Sequence, residues 1–312
     1  MALKFAREQK VCNIGGIKIG GQPGENPPVL FWNMFQKGDV LLKSRKNREF
    51  DRETATKRIH EMERWSKETG LPALVVMVAN TADEMAVWID FYTSVTDLPF
   101  GVDIWKADVR MEATKYVAEK GLMDRFLYNS ITPWDEDIPG QVAAIKDMGV
   151  KHVVVQAFDV EDMGPKGRVS ALKKLLPMVE KGNFESIIVD TAVMGLPLTA
   201  VSLIGNRLVK EEFGLPVGCA PANGTYMWKK EIGPENVSRF VAADAAMEAI
   251  TAIESDFIFP GPMTALDRVY PAVAAAYSMF TVKTLDEGLP LPSGPNPLSL
   301  LFPDVVETLT KK

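Results

Sequence analysis

Two short apolar segments of the chain, residues 99–105 and 126–131, each carry one polar side chain near the C-terminal end. In the first segment this residue is Asp103, and in the second it is Asn129. Both segments have the composition of buried β-strands, and burying an unpartnered carboxylate or carboxamide costs on the order of 2–7 kcal/mol. Each of these side chains therefore either pairs within the protein or binds a ligand.

Other apolar segments end in residues of the same types. Asp and amide side chains predominate at these positions, and no histidine is among them: Asn33, Asn80, Asp103, Asn129, Gln156 with Asp159, Asp190 and Asn223. A planar heterocycle with adjacent N–H donors and a carbonyl, such as a pterin, guanine or flavin, needs carboxylates and bifunctional amides around its edge. The alternative for each single residue is a helix N-cap, for which Asp and Asn are preferred.

Eight short runs rich in Val, Ile, Leu and Phe alternate with segments of helical periodicity. The predicted strands cover residues 28–35, 72–79, 100–105, 126–131, 152–158, 186–192, 216–220 and 256–260. Their apolar character is continuous, as in parallel strands covered on both faces. Thr81 and Glu84 have the spacing of a capping box that would start a helix. Five glycines follow helical segments, where a left-handed residue ends a helix: Gly70, Gly121, Gly149, Gly182 and Gly214.

This alternation predicts an α/β fold, a (β/α)8 TIM barrel, with residues 1–312 as one domain and the functional site at the C-terminal ends of the strands. Residues 1–27 are predicted to form an N-terminal extension with a β-hairpin that turns at Gly15-Gly16. This hairpin would close the N-terminal mouth of the barrel, opposite the functional site. Residues 36–50 form a basic loop, interpreted as solvated in preference to a lid or docking surface. Residues 288–312 predict a Pro-rich, extended C-terminal tail, whose apolar stretch 298–306 is suited to packing on a barrel helix or a second subunit.

Composition excludes several classes of function. The 312 residues carry a net charge of −6 at pH 7, without the basic footprint of nucleic-acid-binding proteins. No apolar run approaches the ~20 residues that span a bilayer, and the first ten residues lack a signal-peptide core, so a cytoplasmic location is expected. With two histidines and two distant cysteines, neither a three-histidine zinc site nor a disulfide framework is expected.

Four segments resemble one known protein family. They are residues 14–25 (IGGIKIGGQPGE), 102–104 (VDI), 128–131 (YNSI) and 189–192 (VDTA), and the first is the most specific. Nearly the whole chain is similar to the MtrH family, the methyltransferase subunit acting on tetrahydromethanopterin and its bacterial relatives acting on tetrahydrofolate. Among these, the chain looks like the bacterial methylcobalamin:tetrahydrofolate methyltransferases that complete corrinoid-dependent demethylation, for example of glycine betaine.

The resemblance implies a homodimer that moves a methyl group between the cobalt of a corrinoid protein and N5 of tetrahydrofolate. Methylcobalamin would be carried by that partner protein, and no metal held by the chain itself is expected. By the same resemblance Asp103, Asn129 and Asp190 hold the pterin edge, while Asn223, the expected catalytic residue, contacts N5. An amide can donate a hydrogen bond to N5 without titrating. Gln156 and Asp159 are further pterin-binding candidates because they lie at the C-terminal end of the fifth predicted strand and just beyond it.

Two other functions compete with this interpretation. A dihydropteroate-synthase-like enzyme would need a pyrophosphate site of Arg, Lys and Ser at the barrel mouth, for which the sequence offers no convincing candidate. A non-catalytic pterin-binding subunit of a larger complex is slightly disfavoured, because the set of polar residues at the strand ends is full. For the tail of a folate, Lys106, Lys166 and Arg168 are the candidates.

Overall fold

The computed structural model describes residues 3–311. The strands are β1 (Val11–Ile14), β2 (Ile17–Gly20), β3 (Val29–Met34), β4 (Leu42–Ser44), β5 (Glu49–Phe50), β6 (Ala73–Val78), β7 (Phe100–Asp103), β8 (Phe126–Ile131), β9 (His152–Gln156), β10 (Ser186–Asp190), β11 (Val217–Cys219) and β12 (Phe257–Pro262). The α-helices are α1 (Arg52–Thr69), α2 (Ala82–Val95), α3 (Ala107–Glu119), α4 (Ile138–Asp147), α5 (Pro165–Val179), α6 (Thr199–Phe213), α7 (Pro221–Ile232), α8 (Val237–Ile253), α9 (Leu266–Asp286), α10 (Pro297–Leu301) and α11 (Pro303–Thr310).

Eight of the strands, β3 and β6 to β12, form a closed parallel barrel in which each strand pairs with the next along the chain. Each of the eight predicted strands overlaps one of them, so the predicted TIM barrel is confirmed. Successive residues of a strand face opposite sides of the sheet. Phe31, Leu127 and Ile188 pack in the barrel interior, while neighbours such as Trp32 and Val189 pack toward the helices.

The predicted hairpin is present as the antiparallel pair β1–β2. Gly15 and Gly16 have φ of 54° and 92°, and the primed turns of two-residue hairpins require positive φ. The buried side chains of Ile14 and Ile19 join the cluster that fills the barrel interior. A Cβ on Gly15 would lie 3.0 Å from Pro99, just before β7 begins, so the hairpin covers the N-terminal end of the barrel as predicted.

Most of the predicted helix ends are confirmed. The Thr81 side chain accepts from the Glu84 N–H, while the Glu84 carboxylate accepts from Asn80 N–H and not from Thr81. Four of the five glycines adopt the left-handed conformation. The prediction for Gly182 is wrong, because a 3₁₀ turn extends the helix and Asn183, with φ of 53°, takes that conformation instead.

The loop after β3 and the C-terminal tail are more ordered than predicted. Within residues 36–50, β4 and β5 pair, and Phe50 packs edge-on against Phe35 and Trp88, so the solvated-loop interpretation is wrong for the base of the loop. The tail is free of helix only up to Asn296, which caps α10. Leu298 is buried, and α10 packs on α1 and α9, as suggested for this stretch. Among residues 3–311, no helix combines the length and the apolar composition needed to cross a bilayer.

Candidate functional site

The polar residues at the strand ends meet in one cavity at the C-terminal end of the barrel. In the register of the sheet, Asp103 lies opposite Asn129, and Gln156 lies opposite Asp190. These residues line a cavity of about 250 Å³, hereafter the inner cavity, together with Asn33 of β3 and Asn223 of α7. The structure therefore brings together five of the six residues predicted for the site.

The alternation of side chains along the strands explains why these residues converge. Asn129 follows the inward-facing Leu127 by two positions, Gln156 follows Val154 in the same way, and Asp190 follows Ile188. Residues two apart in a strand point to the same face. The interior of the barrel is therefore apolar up to its last layer, and that layer is polar.

The helix-cap alternative does not hold for these residues. The N-cap positions of α3, α4, α6 and α7 are occupied by Lys106, Asp137, Leu198 and Ala220. Asn223 was expected in a loop but lies in the first turn of α7, which begins at Pro221. Proline at the first helical position is preorganised for a helix, so this helix start was open to prediction.

The polar side chains of the inner cavity have little hydrogen bonding of their own. Within residues 3–311, the side chains of Asp103, Asn129, Gln156 and Asn223 have no hydrogen-bond partner in the protein. One oxygen of Asp190 accepts from the Ala192 N–H at 2.8 Å. Asp103, Asn129 and Gln156 are only partly exposed and Asn223 is exposed, so their unpaired polar groups are accessible to a ligand and suit a site completed by a polar molecule.

Burial raises the pKa of both carboxylates of the cavity. The pKa of Asp103 is raised by desolvation, against the attraction of the nearby Arg110 guanidinium. Desolvation raises the pKa of Asp190 to about 6; the Ala192 N–H opposes this rise, and the charge of Asp103 adds to it. A ligand that donates hydrogen bonds to both carboxylates would reverse these shifts, because it stabilises the ionised forms.

Arg110 forms a buried wall of the cavity that the sequence reasoning missed. Its guanidinium donates to the Tyr128 hydroxyl at 3.0 Å, to the Ile104 carbonyl at 2.7 Å and to the Asp135 carboxylate at 3.1 Å. The side chains of Arg110 and Asp135 are only 2% and 4% exposed. The network links α3 to β8 and thereby fixes the strand that carries Asn129. The sequence did contain one indication of this role, because Arg110 is a charged residue on the apolar stripe of α3, beside Ala113.

Arg168 has a corresponding role behind Asp190. Its buried guanidinium donates to the carbonyls of Thr191 at 3.1 Å and of Ala192 at 3.3 Å. Ala192 has φ of 50°, which is rare for a residue with a side chain, and its N–H is the donor to Asp190. Arg168 therefore stabilises the backbone that orients Asp190, and it is not available for the tail of a folate.

Three other candidates lie outside the inner cavity. Asp159 accepts from the Glu161 N–H at 3.0 Å and pairs with Lys174 at 3.3 Å on α5. The structure does not bring its carboxylate to the other site residues. Lys106 and Lys166 are exposed and belong to neither of the cavities at the barrel mouth.

A wider cavity of about 830 Å³, hereafter the outer groove, adjoins the inner cavity. The two share Asn33, Asp103, Ala220, Asn223 and Phe259 as lining residues. The outer groove is lined further by residues 36–40 of the loop after β3, by Met194 and by one face of α7. Asn223 thus lies where a narrow polar cavity opens into a wide groove.

The raised pKa of Asp190 predicts a falling stability between about pH 4 and pH 6. In this window the folded chain holds a proton that the unfolded chain has lost, so the free energy of unfolding decreases as the pH rises. The rise from 3.8 to about 6 corresponds to at most roughly 3 kcal/mol. Urea titrations from pH 4 to 8 should show this loss, and Asp190→Asn should reduce it. Asp103 and Glu248, whose pKa values burial also raises, account for the slope that remains. An equal pH slope in the variant would contradict the assignment.

Residues 3–311 contain no group of three or more His, Cys, Asp or Glu side chains placed to hold a metal ion. The cavity offers carboxylates and amides, which are the groups that a planar, donor-rich molecule requires.

Comparisons with known proteins point to one methyltransferase family. The family model described as "Tetrahydromethanopterin S-methyltransferase MtrH subunit" matches residues 7–290. The chain is 31% identical over 305 residues to the MtrH subunit of tetrahydromethanopterin S-methyltransferase from Methanopyrus kandleri, covering 91% of this chain and 94% of that protein. It is 30% identical over 289 residues to the protein of the same name from Methanosarcina mazei, covering 87% and 90%.

Solved structures of dihydropteroate synthase share the fold. The enzyme of Xanthomonas albilineans with 4-aminobenzoic acid superposes with a TM-score of 0.59 at 16% identity, covering 90% of this chain and 99% of that one. The Yersinia pestis enzyme with a sulfonamide drug gives 0.59 at 13% identity, covering 89% and 100%. At these identities the likeness shows the barrel alone. The match over residues 7–290 shows the family: the chain belongs to the MtrH family of methyltransferases.

Proposed function

We propose that this protein transfers a methyl group from a methyl-Co(III) corrinoid, carried by a partner protein, to N5 of tetrahydrofolate. One observation carries the proposal: Asn223 is among the few lining residues that a narrow polar cavity shares with a wide groove. A pterin in the inner cavity would present its reacting nitrogen to a large methyl donor in the outer groove at this boundary. Membership of the MtrH family supports methyl transfer as the chemistry.

The inner cavity would bind the pyrimidine edge of the pterin. Asp103 and Asp190 would accept from its amino group and ring N–H groups, and Asn129 and Gln156 would donate and accept beside them. The cavity is held on two sides by buried guanidinium groups that bind the backbone, Arg110 and Arg168. A site fixed in this way holds N5 at a constant position toward the donor, and such orientation is worth several kcal/mol of the barrier.

The reaction breaks the bond between cobalt and the methyl carbon and forms a bond between that carbon and N5. The electron pair of the broken bond stays on cobalt, giving Co(I), and N5 releases its proton. In the transition state N5 gains positive charge, so its hydrogen becomes a stronger hydrogen-bond donor. The Asn223 side-chain oxygen would accept this hydrogen bond without taking the proton, which then leaves to water through the outer groove.

The proposal also specifies which pterin accepts the methyl group. The named relatives are tetrahydromethanopterin methyltransferase subunits, whereas the resemblance to bacterial proteins favours tetrahydrofolate for this chain. Purified protein should convert methylcobalamin and tetrahydrofolate to 5-methyltetrahydrofolate, which is measured by the appearance of Co(I). Parallel assays with tetrahydromethanopterin identify the preferred acceptor. Transfer only to tetrahydromethanopterin would overturn the folate assignment and leave methyl transfer intact.

The same assay tests the non-catalytic alternative. A binding subunit would retain the pterin in calorimetry without accelerating transfer, whether from free methylcobalamin or from a methylated corrinoid protein. An enzyme accelerates transfer in at least one of these two assays. Binding without acceleration in both would leave only the role of a pterin-binding subunit.

We also propose that the protein is a homodimer, as the family resemblance implies. The end of the tail leaves apolar side chains exposed beside the barrel, among them Leu301, Phe302 and Val305. Contiguous exposed apolar surface is typical of a protein–protein contact. Light scattering should give twice the chain mass of 34.4 kDa, and the mass of one chain would exclude the dimer.

A further inference from the structure

One face of α7 runs from the inner cavity along the outer groove. Asn223, Tyr226, Met227 and Lys230 follow the spacing i, i+3, i+4, i+7, so they lie on the same side of the helix. All four line the outer groove. The face therefore leads from the boundary residue Asn223 across an aromatic ring and a half-exposed thioether to an ammonium group.

The far end of this face is positively charged. Lys229 and Lys230 line the groove from α7, and Lys37 lines it from the loop after β3. Within residues 3–311, none of the three is paired with a carboxylate, although the chain carries a net charge of −6. The Lys229 ammonium lies 4.7 Å from the centre of the Phe240 ring and 5.2 Å from that of Tyr226.

The acidic residue nearest to these lysines along the loop is already engaged. Asp39 is buried and accepts from the Phe35 N–H at 2.7 Å and from the Leu41 N–H at 3.0 Å. Its carboxylate stabilises the turn of the loop. The lining of the groove thus carries three ammonium groups, Lys37, Lys229 and Lys230, against two carboxylates, Asp39 and Asp103, and its outer part is suited to an anion.

The spacing along α7 matches the tail of a folate. With a rise of 1.5 Å per residue, Lys229 and Lys230 lie about 10 Å beyond Asn223 along the helix axis. In tetrahydrofolate, C6 is bonded to N5 and carries the tail. Bond lengths of 1.3–1.5 Å place the α-carbon of the first glutamate about 10 Å from C6. In tetrahydromethanopterin, uncharged polyol follows the aryl ring, so its first anionic group lies farther away.

We propose that the α7 side of the outer groove binds the anionic tail of the reduced pterin and leaves the rest of the groove to the methyl donor. The aryl ring lies on Tyr226 and Met227, and the glutamate carboxylates pair with Lys229, Lys230 and Lys37. This subsite rests on the proposed function, since it continues from a pterin in the inner cavity. It replaces Lys106, Lys166 and Arg168 as the tail site, and it favours folate polyglutamates over tetrahydromethanopterin.

The experiment compares ligands that differ only in the tail. Calorimetry would give the Kd of 6-methyltetrahydropterin, tetrahydropteroyl monoglutamate and tetrahydropteroyl triglutamate, each at low and high salt. The monoglutamate should bind about 5- to 10-fold more tightly than the bare pterin, and the triglutamate more tightly again, as expected for partly exposed ion pairs. This gain should shrink at high salt, because screening weakens exposed pairs.

The double variant Lys229→Gln/Lys230→Gln should remove most of the salt-dependent part of the tail gain and leave the affinity for the bare pterin unchanged. Lys115→Gln/Lys166→Gln is the matched control, since both lysines are exposed and outside the groove. It should retain the gain, and circular dichroism would verify that both variants are folded.

Three results would overturn the tail subsite. The first is a full tail gain in the groove variant, and the second is an equal loss of affinity for all three ligands. The third is unchanged ligand affinity with a loss of transfer from the corrinoid protein alone, which would assign the lysines to the partner. Failure of the wild-type protein to bind the bare pterin would instead contradict the proposed function itself.

Discussion

Replacing Asn223 with alanine is expected to lower kcat for methyl transfer by about 10²-fold, the scale found when one transition-state hydrogen-bond partner is removed. The Kd for the pterin should change by only a few-fold, because the bond to N5 strengthens mainly as positive charge develops there. Stopped-flow measurement of Co(I) formation with saturating pterin gives the rate, and calorimetry gives the Kd.

The variant Asn223→Asp separates the two ways in which the amide can act. It keeps a side-chain oxygen as acceptor and loses the amide hydrogens. Rates well above those of the alanine variant would support acceptance from the N5 hydrogen, whereas a loss as large as in alanine would point to donation toward N5. Full turnover of Asn223→Ala would remove this residue from the mechanism.

The second large effect is expected at the other side of the cavity. Asp103→Asn should weaken pterin binding by about 10- to 150-fold, because hydrogen bonds to a charged group contribute roughly 1.5–3 kcal/mol and each 1.4 kcal/mol is tenfold. In the apoprotein this carboxylate has no hydrogen-bond partner among residues 3–311. The substitution should therefore leave the free energy of unfolding unchanged or increase it.

Asp159→Asn is the matched control for that experiment. Its carboxylate lies near the same end of the barrel but pairs with Lys174 outside the inner cavity. We expect its pterin affinity to equal that of the wild type. Equal losses in the Asp103 and Asp159 variants would show that binding responds to net charge, and would contradict the specific role of Asp103.

The barrel was predictable because its strands are continuous apolar runs and its helices end at glycines. Within it, the inward positions could be predicted by counting in twos from buried residues: Leu127 leads to Asn129 and Ile188 to Asp190. Counting in twos from Val154 reaches Gln156 and passes over Asp159, which lies beyond the end of β9.

The residues that were missed depend on contacts distant in sequence. Arg110 faces the cavity wall because its partners include Asp135, 25 residues away, and no local pattern specifies that pair. The outer groove depends on where α7 begins. A loop around Asn223 gives no continuous face, whereas a helix from Pro221 aligns Asn223 with Lys230. The start of a short helix and its position in the fold are therefore the features that the sequence pattern did not predict.

The hairpin at the N-terminal end has a consequence for turnover. Because β1 and β2 cover that end of the barrel, the inner cavity opens toward the outer groove. Under the proposed function, a methylated pterin leaves through the space that the methyl donor occupied. Product release then requires the partner protein to move away from the groove, whereas no such step is needed when free methylcobalamin is the donor.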